Sequence, residues 1–397
     1  MGAAKNKVAT GVESLVNSLG DKRAGRGGTP KKCALLCNQA SVLPDYRHVL
    51  DVLDEVAPGL VARVFFPQHG FFGEKQDNMV ESGHLTDALG RPVYSLYGEA
   101  RKPTPAMLEG LGTIYVDLVD AGTRVYTFAQ TLSLVMEAAG QCGVGVTVLD
   151  RPNPIGGAEV EGNILDADCA SFVGLHPVPL RHGLTMGELA MLVKSRLPEP
   201  PELEVRPVSG WSRDMYHPET GLPWVPPSPN MPSPETAWLY PGQVIWEGTN
   251  VSEGRGTTRP FHLVGAPFVE AEVLHKDLLS RDLPGLAFRK AWFEPTFNKW
   301  AGQLCGGLEL FPLDRTFKPL LTSLTILEIM FRRWPGAVEH KAPPYEYERE
   351  RRPFDLIMGR KGIFEALRDG GSAKDLCAGF EAEAAAFYEL TRPFKLY

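Results

Sequence analysis

The sequence predicts an α/β protein: a doubly wound sheet domain followed by a smaller α/β C-terminal domain. Four short apolar runs alternate with segments whose apolar residues recur every three or four positions. The runs are apolar on both faces, as strands of a covered parallel sheet must be. At 397 residues with 43% hydrophobic content, the chain is also long enough to bury two cores.

The N-terminal stretch "MGAAKNKVATGVESLVNSLGDKRAG" predicts an amphipathic helix with Val8, Val12, Leu15, Val16 and Leu19 on one side. It lacks the continuous apolar centre of a signal peptide, and no run of eighteen apolar residues follows, so no membrane span and a cytoplasmic protein are expected. Residues 1–32 are taken as this extension. The strand runs come next: "CALLC" (Cys33–Cys37), "VARVFF" (Val61–Phe66), "TIYVDL" (Thr113–Leu118) and "VGVTVLD" (Val144–Asp150). "DYRHVLDVLDEV" and "FAQTLSLVMEAAGQ" supply helices between them. The proline-crowded "GLPWVPPSPNMPSPETAWLYPG" (Gly221–Gly242) excludes helix over much of its length and reads as a stiff connector or a cleft wall. The boundary is placed there, giving domains 33–239 and 240–397. The second contains helix patterns at "VEAEVLHKDLL", "FKPLLTSLTILEIMFRRW" and "SAKDLCAGFEAEAAAFYEL", with strand-like "GLAFRKAWFE" and "GGLELFPL".

Composition removes several function classes. With 41 Lys+Arg against 48 Asp+Glu, the net charge of −7 gives no support to a nucleic-acid partner. Six dispersed cysteines form no Cys-x-x-Cys pair, and Cys33 and Cys37 read as buried thiols. The first strand is followed by "NQASVLPDY", without the glycines of a dinucleotide site. There is no Walker A, G-x-S-x-G or H-E-x-x-H sequence, so no metal or other cofactor is expected.

Ligands of doubly wound sheets gather beyond the carboxyl ends of the strands. The residues delivered there are Asn38 and Gln39, then Gln68, His69 and Glu74, then Asp117, Asp120 and Arg124, then Asp150, Arg151 and Asn153. "EGTNVSEGRGTTRPF" (Glu247–Phe261) adds Glu253, Arg255 and Arg259 among glycines. It reads equally as a carboxylate-gripping loop or as a charged turn whose arginines pair with Glu247 and Glu253. Carbohydrate hydrolysis uses two carboxyls, one protonated as acid, and Glu74, Asp77, Asp117, Asp120 and Glu161 are the candidates. Tyr97, Tyr126, Trp224 and Trp246 are the candidate sugar-stacking faces.

Nine motifs in order carry a resemblance: "PQHGFFGEKQDN", "SLYGEARKPTP", "DLVDAGTRVYTF", "VLDRPNPIGG", "VEGNIL", "PLRHGLTMGELA", "GLPWVPPSPNMP", "EGTNVSEGRGTTRPF" and "TRPFKLY". From about Lys32 to Tyr397 the chain resembles the NamZ family of bacterial exo-β-N-acetylmuramidases. The resemblance implies a Rossmann-like N-terminal domain and an active site in the cleft between the two domains. It also implies cofactor-free release of terminal N-acetylmuramic acid from peptidoglycan fragments. Arg255, Arg259 or Arg124 would hold the lactyl carboxylate; Tyr97, Arg101, Asp120, Asn153, His182, Asn230 and Glu253 would position the sugar. Position 68 departs from the family, which carries glutamate before His-Gly and uses it as the suspected acid. With Gln68 reduced to binding substrate, the expectation is a working pair of Glu74 and Glu161, with His69 orienting a carboxylate. The alternative is a non-catalytic muropeptide sensor on the same fold; cleavage of the lactyl ether is a weaker one.

Overall fold

The computed structural model describes residues 7–21, 31–77 and 79–397. A seven-stranded sheet forms its first half. Its strands are β1 (Cys33–Cys37), β2 (Val61–Phe66), β3 (Leu85–Thr86), β4 (Pro92–Ser95), β5 (Thr113–Asp117), β6 (Gly145–Leu149) and, after a separate hairpin, β9 (Leu203–Arg206), in the order β3-β4-β2-β1-β5-β6-β9. All neighbours pair in parallel except the edge strand β3. The four runs expected as strands are all present. Chain order reverses direction between β1 and β5, and a ligand crevice opens at such a switch point.

Both faces of the sheet are covered, which is why β1 is buried at every residue. One face carries α1 (Gly11–Asp21) and α2 (Val49–Val56), whose Val12, Leu15, Leu19, Val49 and Leu53 pack with alternate residues of β1 and β2. The expected N-terminal helix is thus present, and within it Val16 is only partly buried. Val8 lies before the helix, packed against Val208 and Trp211. The short α3 (Pro105–Leu108) precedes β5; α4 (Phe128–Gln141) and α5 (Met186–Lys194) pack on the other face. The hairpin of β7 (Glu161–Ile164) and β8 (Pro179–Arg181) stands apart from the main sheet.

The proline-rich segment corrects one expectation. After the single turn α6 (His217–Thr220), residues 222–233 are irregular, but α7 (Pro234–Gln243) is helical and runs across position 240. Ser233 caps it by accepting from the Thr236 amide, and Pro234 sits in the first turn, where the missing N–H costs nothing. Asn38 and Gln39, after β1, donate to the carbonyls of Pro227 and Pro226 at 3.0 and 2.8 Å. These bonds hold the irregular part as a wall.

The remaining chain builds an antiparallel sheet of β10 (Leu263–Ala266), β11 (Leu286–Phe293) and β12 (Cys305–Pro312), in the order β10-β12-β11. Around it lie α8 (Ala271–Leu279), α9 (Pro319–Arg333), α10 (Pro353–Met358), α11 (Ile363–Arg368) and α12 (Ala373–Leu390). Cys33 and Cys37 are buried thiols, whereas Cys142 is exposed. Among the described residues no helix is long and apolar enough to cross a membrane.

Candidate active site

A narrow cleft lies where the end of β2, the start of α4 and the proline-rich wall meet the C-terminal half. Gln68 and His69 come from the β2 loop, Thr127 from the start of α4 and Asn230 from the wall; Arg255 and Glu346 come from the C-terminal half. Glu346 sits at its centre. Gln68 Nε2 donates to Glu346 Oε1 at 2.9 Å, and the Tyr97 hydroxyl donates to Oε2 at 2.7 Å. Gln68 is fixed in turn by the Thr127 hydroxyl, which donates to its Oε1 at 2.7 Å.

Burial raises the Glu346 carboxyl to about 7, outweighing the hydrogen bonds from Tyr97 and Gln68 that favour its charged form. Glu247, in the same cleft, goes the other way. Burial alone would raise it, but the Arg255 guanidinium brings it below its ordinary value. Arg255 Nη2 donates to Glu247 Oε1 at 2.7 Å, and the Tyr345 hydroxyl donates to Oε2 at 2.8 Å. Two carboxyls whose environments push them apart are the usual basis of an acid and an ionised partner. Arg255 is 7% exposed, and its Nη1 meets no protein acceptor.

Backbone strain concentrates at the same place. His69, Glu346 and Tyr347 have φ of 81°, 45° and 69°, in the left-handed region that residues with a Cβ rarely adopt. His69 Nδ1 lies 3.0 Å from the Lys75 carbonyl, and burial pushes the ring down to about 4, so it is neutral at physiological pH.

The structure brings Gln68, His69, Asn230 and Arg255 together in the cleft, with Tyr97 bonded to Glu346 behind it. Asn230 Nδ2 donates to the Gln76 carbonyl at 2.7 Å. Arg101 stacks outside, its guanidinium 4.5 Å from the Tyr347 ring. Glu253 is the buried counter-ion of Lys299, at 2.5 Å, and lies 3.3 Å from Arg255.

Other expected site residues are used elsewhere. Glu161 Oε1 accepts the amides of Leu320 and Leu321 at 3.1 and 3.3 Å, so its carboxylate caps the start of α9 and lines a different cavity, beside Cys377. Glu74 is exposed, folded back over Gly70, and accepts from the Phe72 amide at 3.2 Å. Glu74, Glu161 and Arg255 therefore do not share one crevice. Both terminal nitrogens of Arg124 are engaged by backbone: they donate to the carbonyls of Asn163, Val178, Ile357 and Met358 at 2.8–3.0 Å. Asp120 accepts from the Gly122 amide at 2.8 Å and lies 3.4 Å from His182, which itself accepts from Leu184. Asn153 donates to the Leu184 carbonyl and accepts from Ile155. Arg259 faces a neighbouring groove and donates to Glu309 at 3.0 Å. Of the candidate faces, Tyr126 lines the cleft, whereas Trp246 is wholly buried in the core. Among the described residues no group of three or more His, Cys, Asp or Glu side chains could hold a metal ion.

The sequence reading missed Glu346 and Tyr345. They lie in "APPYEYERE", an irregular loop 278 residues from Gln68, and their one local signal is tyrosine alternating with glutamate between prolines and charges.

Residues 33–235 match the family described as "Exo-beta-N-acetylmuramidase NamZ, N-terminal", and residues 238–397 match its C-terminal counterpart. The chain is similar to "Peptidoglycan beta-N-acetylmuramidase NamZ" of Bacillus subtilis (strain 168), with 38% identity over 396 residues, covering 100% of this chain and 92% of that one. Two crystal structures of DUF1343 family proteins from Bacteroides fragilis NCTC 9343 share the fold. One has TM-score 0.87 and 30% identity, covering 98% of this chain and 99% of its own. The other has TM-score 0.75 and 27% identity, covering 99% of each chain. With both halves matched and a full-length relative at this identity, the chain belongs to the NamZ family of exo-β-N-acetylmuramidases.

Proposed function

We propose that the chain is an exo-acting glycoside hydrolase that releases terminal, non-reducing β-N-acetylmuramic acid from peptidoglycan fragments. The observation that carries this reading is the buried Glu346 carboxyl, half-protonated at about pH 7, in one cleft with the ionised Glu247. Glu346 protonates the leaving oxygen as the glycosidic bond breaks. Gln68 and Tyr97 hold it in place, and a protonated carboxyl keeps enough lone pairs to accept from both. Glu247, fixed by Arg255 and Tyr345, stabilises the positive charge that develops on the sugar; a water then adds to the anomeric carbon in place of the departed oxygen and passes its proton to a carboxylate of the cleft. The free Nη1 of Arg255 takes the lactyl carboxylate. Substrate enters this arrangement by displacing or widening the narrow cleft.

This assignment removes the reason for a sensor reading. An amide at position 68 cannot donate a proton to a leaving group, but the carboxyl it touches can. Incubation with a peptidoglycan disaccharide bearing non-reducing muramic acid, followed by mass spectrometry, is expected to show the free amino sugar. Tight binding with the disaccharide left intact would overturn the hydrolytic reading.

Glu161 provides a contrast. Glu161→Gln keeps the Oε1 acceptor at the start of α9 and removes a carboxyl that burial pushes above its ordinary value, so stability is expected to change by no more than about 1 kcal/mol. Turnover should stay within about twofold of the parent, because the side chain touches nothing in the cleft. A loss of activity at unchanged stability would return Glu161 to the mechanism.

A further inference from the structure

Glu346 stands at the tip of a two-residue hairpin turn. The Tyr345 amide donates to the Glu348 carbonyl at 2.8 Å, and the Glu348 amide donates back to the Tyr345 carbonyl at 2.9 Å. Between them, Glu346 and Tyr347 have φ of 45° and 69°. A turn with both central residues left-handed is normally filled by Asn-Gly, because a larger side chain crowds the backbone there. Here a glutamate and a tyrosine occupy it. Such a conformation persists only where its surroundings over-determine it.

We propose that Tyr347 is a positioning residue for the hydrolysis: its ring, held by Arg101, Tyr97 and Phe172, keeps the turn in the form that aims Glu346 into the cleft. The proposal rests on Glu346 being the acid of the cleft, and it names what holds that acid in place.

The ring is engaged by three side chains. Between centroids it meets Tyr97 at 5.1 Å and Phe172 at 5.7 Å, both edge to face, and the Arg101 guanidinium lies 4.5 Å over it. Aromatic pairs prefer this approach, and a guanidinium over a ring adds electrostatic attraction. The same Tyr97 donates its hydroxyl to Glu346 Oε2, so one tyrosine touches both central residues of the turn. The outgoing limb is fixed as well. Glu348 Oε1 accepts the amides of Arg349 and Glu350, and Glu348 Oε2 accepts from Arg351 Nε at 2.8 Å. Arg351 Nη1 donates in turn to the carbonyls of Asp168 and Ala170, two residues before Phe172. By contrast, the Tyr347 hydroxyl is buried and meets no hydrogen-bond partner among the described residues. The ring carries the contacts, and the hydroxyl adds none.

Three variants of the full chain test this. Tyr347→Gly removes the ring but suits a left-handed φ, so the fold should survive. Its kcat on a muramic-acid-terminated disaccharide is expected to fall about 10²-fold with KM nearly unchanged, the cost of misplacing a reacting group by about 1 Å. Tyr347→Phe keeps the ring and drops only the unbonded hydroxyl, so kcat should return to within about twofold of the parent. Arg101→Ala removes one of the three contacts and should lower kcat less than Tyr347→Gly does. The pH profile gives an independent reading. The titratable and charged groups facing Glu346 are Tyr97, Tyr240, Tyr345, Tyr347, Glu247 and Arg255, and burial holds its carboxyl at about 7. A turn freed to move lets water reach that carboxyl. The alkaline limb of activity should then shift to lower pH in Tyr347→Gly and stay in place in Tyr347→Phe. A loss seen only in KM, a loss equal in Tyr347→Phe and Tyr347→Gly, or parent-like kcat in Tyr347→Gly would overturn the proposal. If the parent itself releases no sugar, the hydrolytic reading has failed, and NMR titration of the Glu346 carboxyl decides instead. A titration midpoint lowered in Tyr347→Gly alone supports the clamp, and an unmoved midpoint overturns it.

Discussion

Glu346→Gln is expected to lower kcat/KM by about 10²–10⁴-fold, the contribution of a positioned general acid. The parent should lose activity as pH rises through about 7, because Glu346 must be protonated to act, and the variant should lack that limb. Parent stability should fall over the same rise in pH. The folded pKa of about 7 exceeds the ordinary 4.5, so between these values the native state holds a proton that the unfolded chain has released. Parent stability therefore falls as pH rises through this window and stays lower above it, by about 3 kcal/mol at one pKa unit per 1.4 kcal/mol. Glu346→Gln has no carboxylate to ionise in the core, so above pH 7 its thermal midpoint should equal or exceed the parent's. Near-normal turnover, or inactivity explained by a lowered midpoint, would remove Glu346 from the chemistry.

The second large effect belongs to Arg255. It compensates two buried carboxylates, Glu247 at 2.7 Å and Glu253 at 3.3 Å. Arg255→Met takes from Glu247 the cation that acts on it most strongly, leaving the Tyr345 hydroxyl and the weaker field of Lys341, and leaves Glu253 with Lys299. Breaking such a pair typically costs about 3–5 kcal/mol, because one charge stays buried without compensation. The loss should be measurable by denaturant unfolding at neutral pH, and adding Glu247→Gln to Arg255→Met should recover a large part of it. No recovery in the double variant would show that the pair does not set the cost.

The main sheet was legible because β1, β2, β5 and β6 are short apolar runs covered on both sides. The outer strands were not: "LT", "PVYS" and "LEVR" are too short and too mixed to show a period. Prolines concealed α7, although "SPET" carries the cap residue and first-turn proline of a helix start. Half of the cleft was readable for the same reason as the sheet: Gln68 and His69 follow a strand end, and Arg255 lies in a glycine-rich loop. The other half was not, since Glu346 owes its place to tertiary contacts with Gln68 and Tyr97 and to nothing local. Strand-end logic also cannot separate a ligand from a clamp. Asp117 and Asp150 bind Arg151 and Thr185, and Glu161 spends its carboxylate on α9.

The Arg124 guanidinium grips carbonyls from the β7–β8 hairpin on one side and from the last turn of α10 on the other. Prising the halves apart there would strand four buried acceptors, so this edge acts as a fixed pivot. The stretch that carries Tyr345 and Glu346 runs straight into α10, so the proton donor is tethered at one end by the same carbonyl clamp.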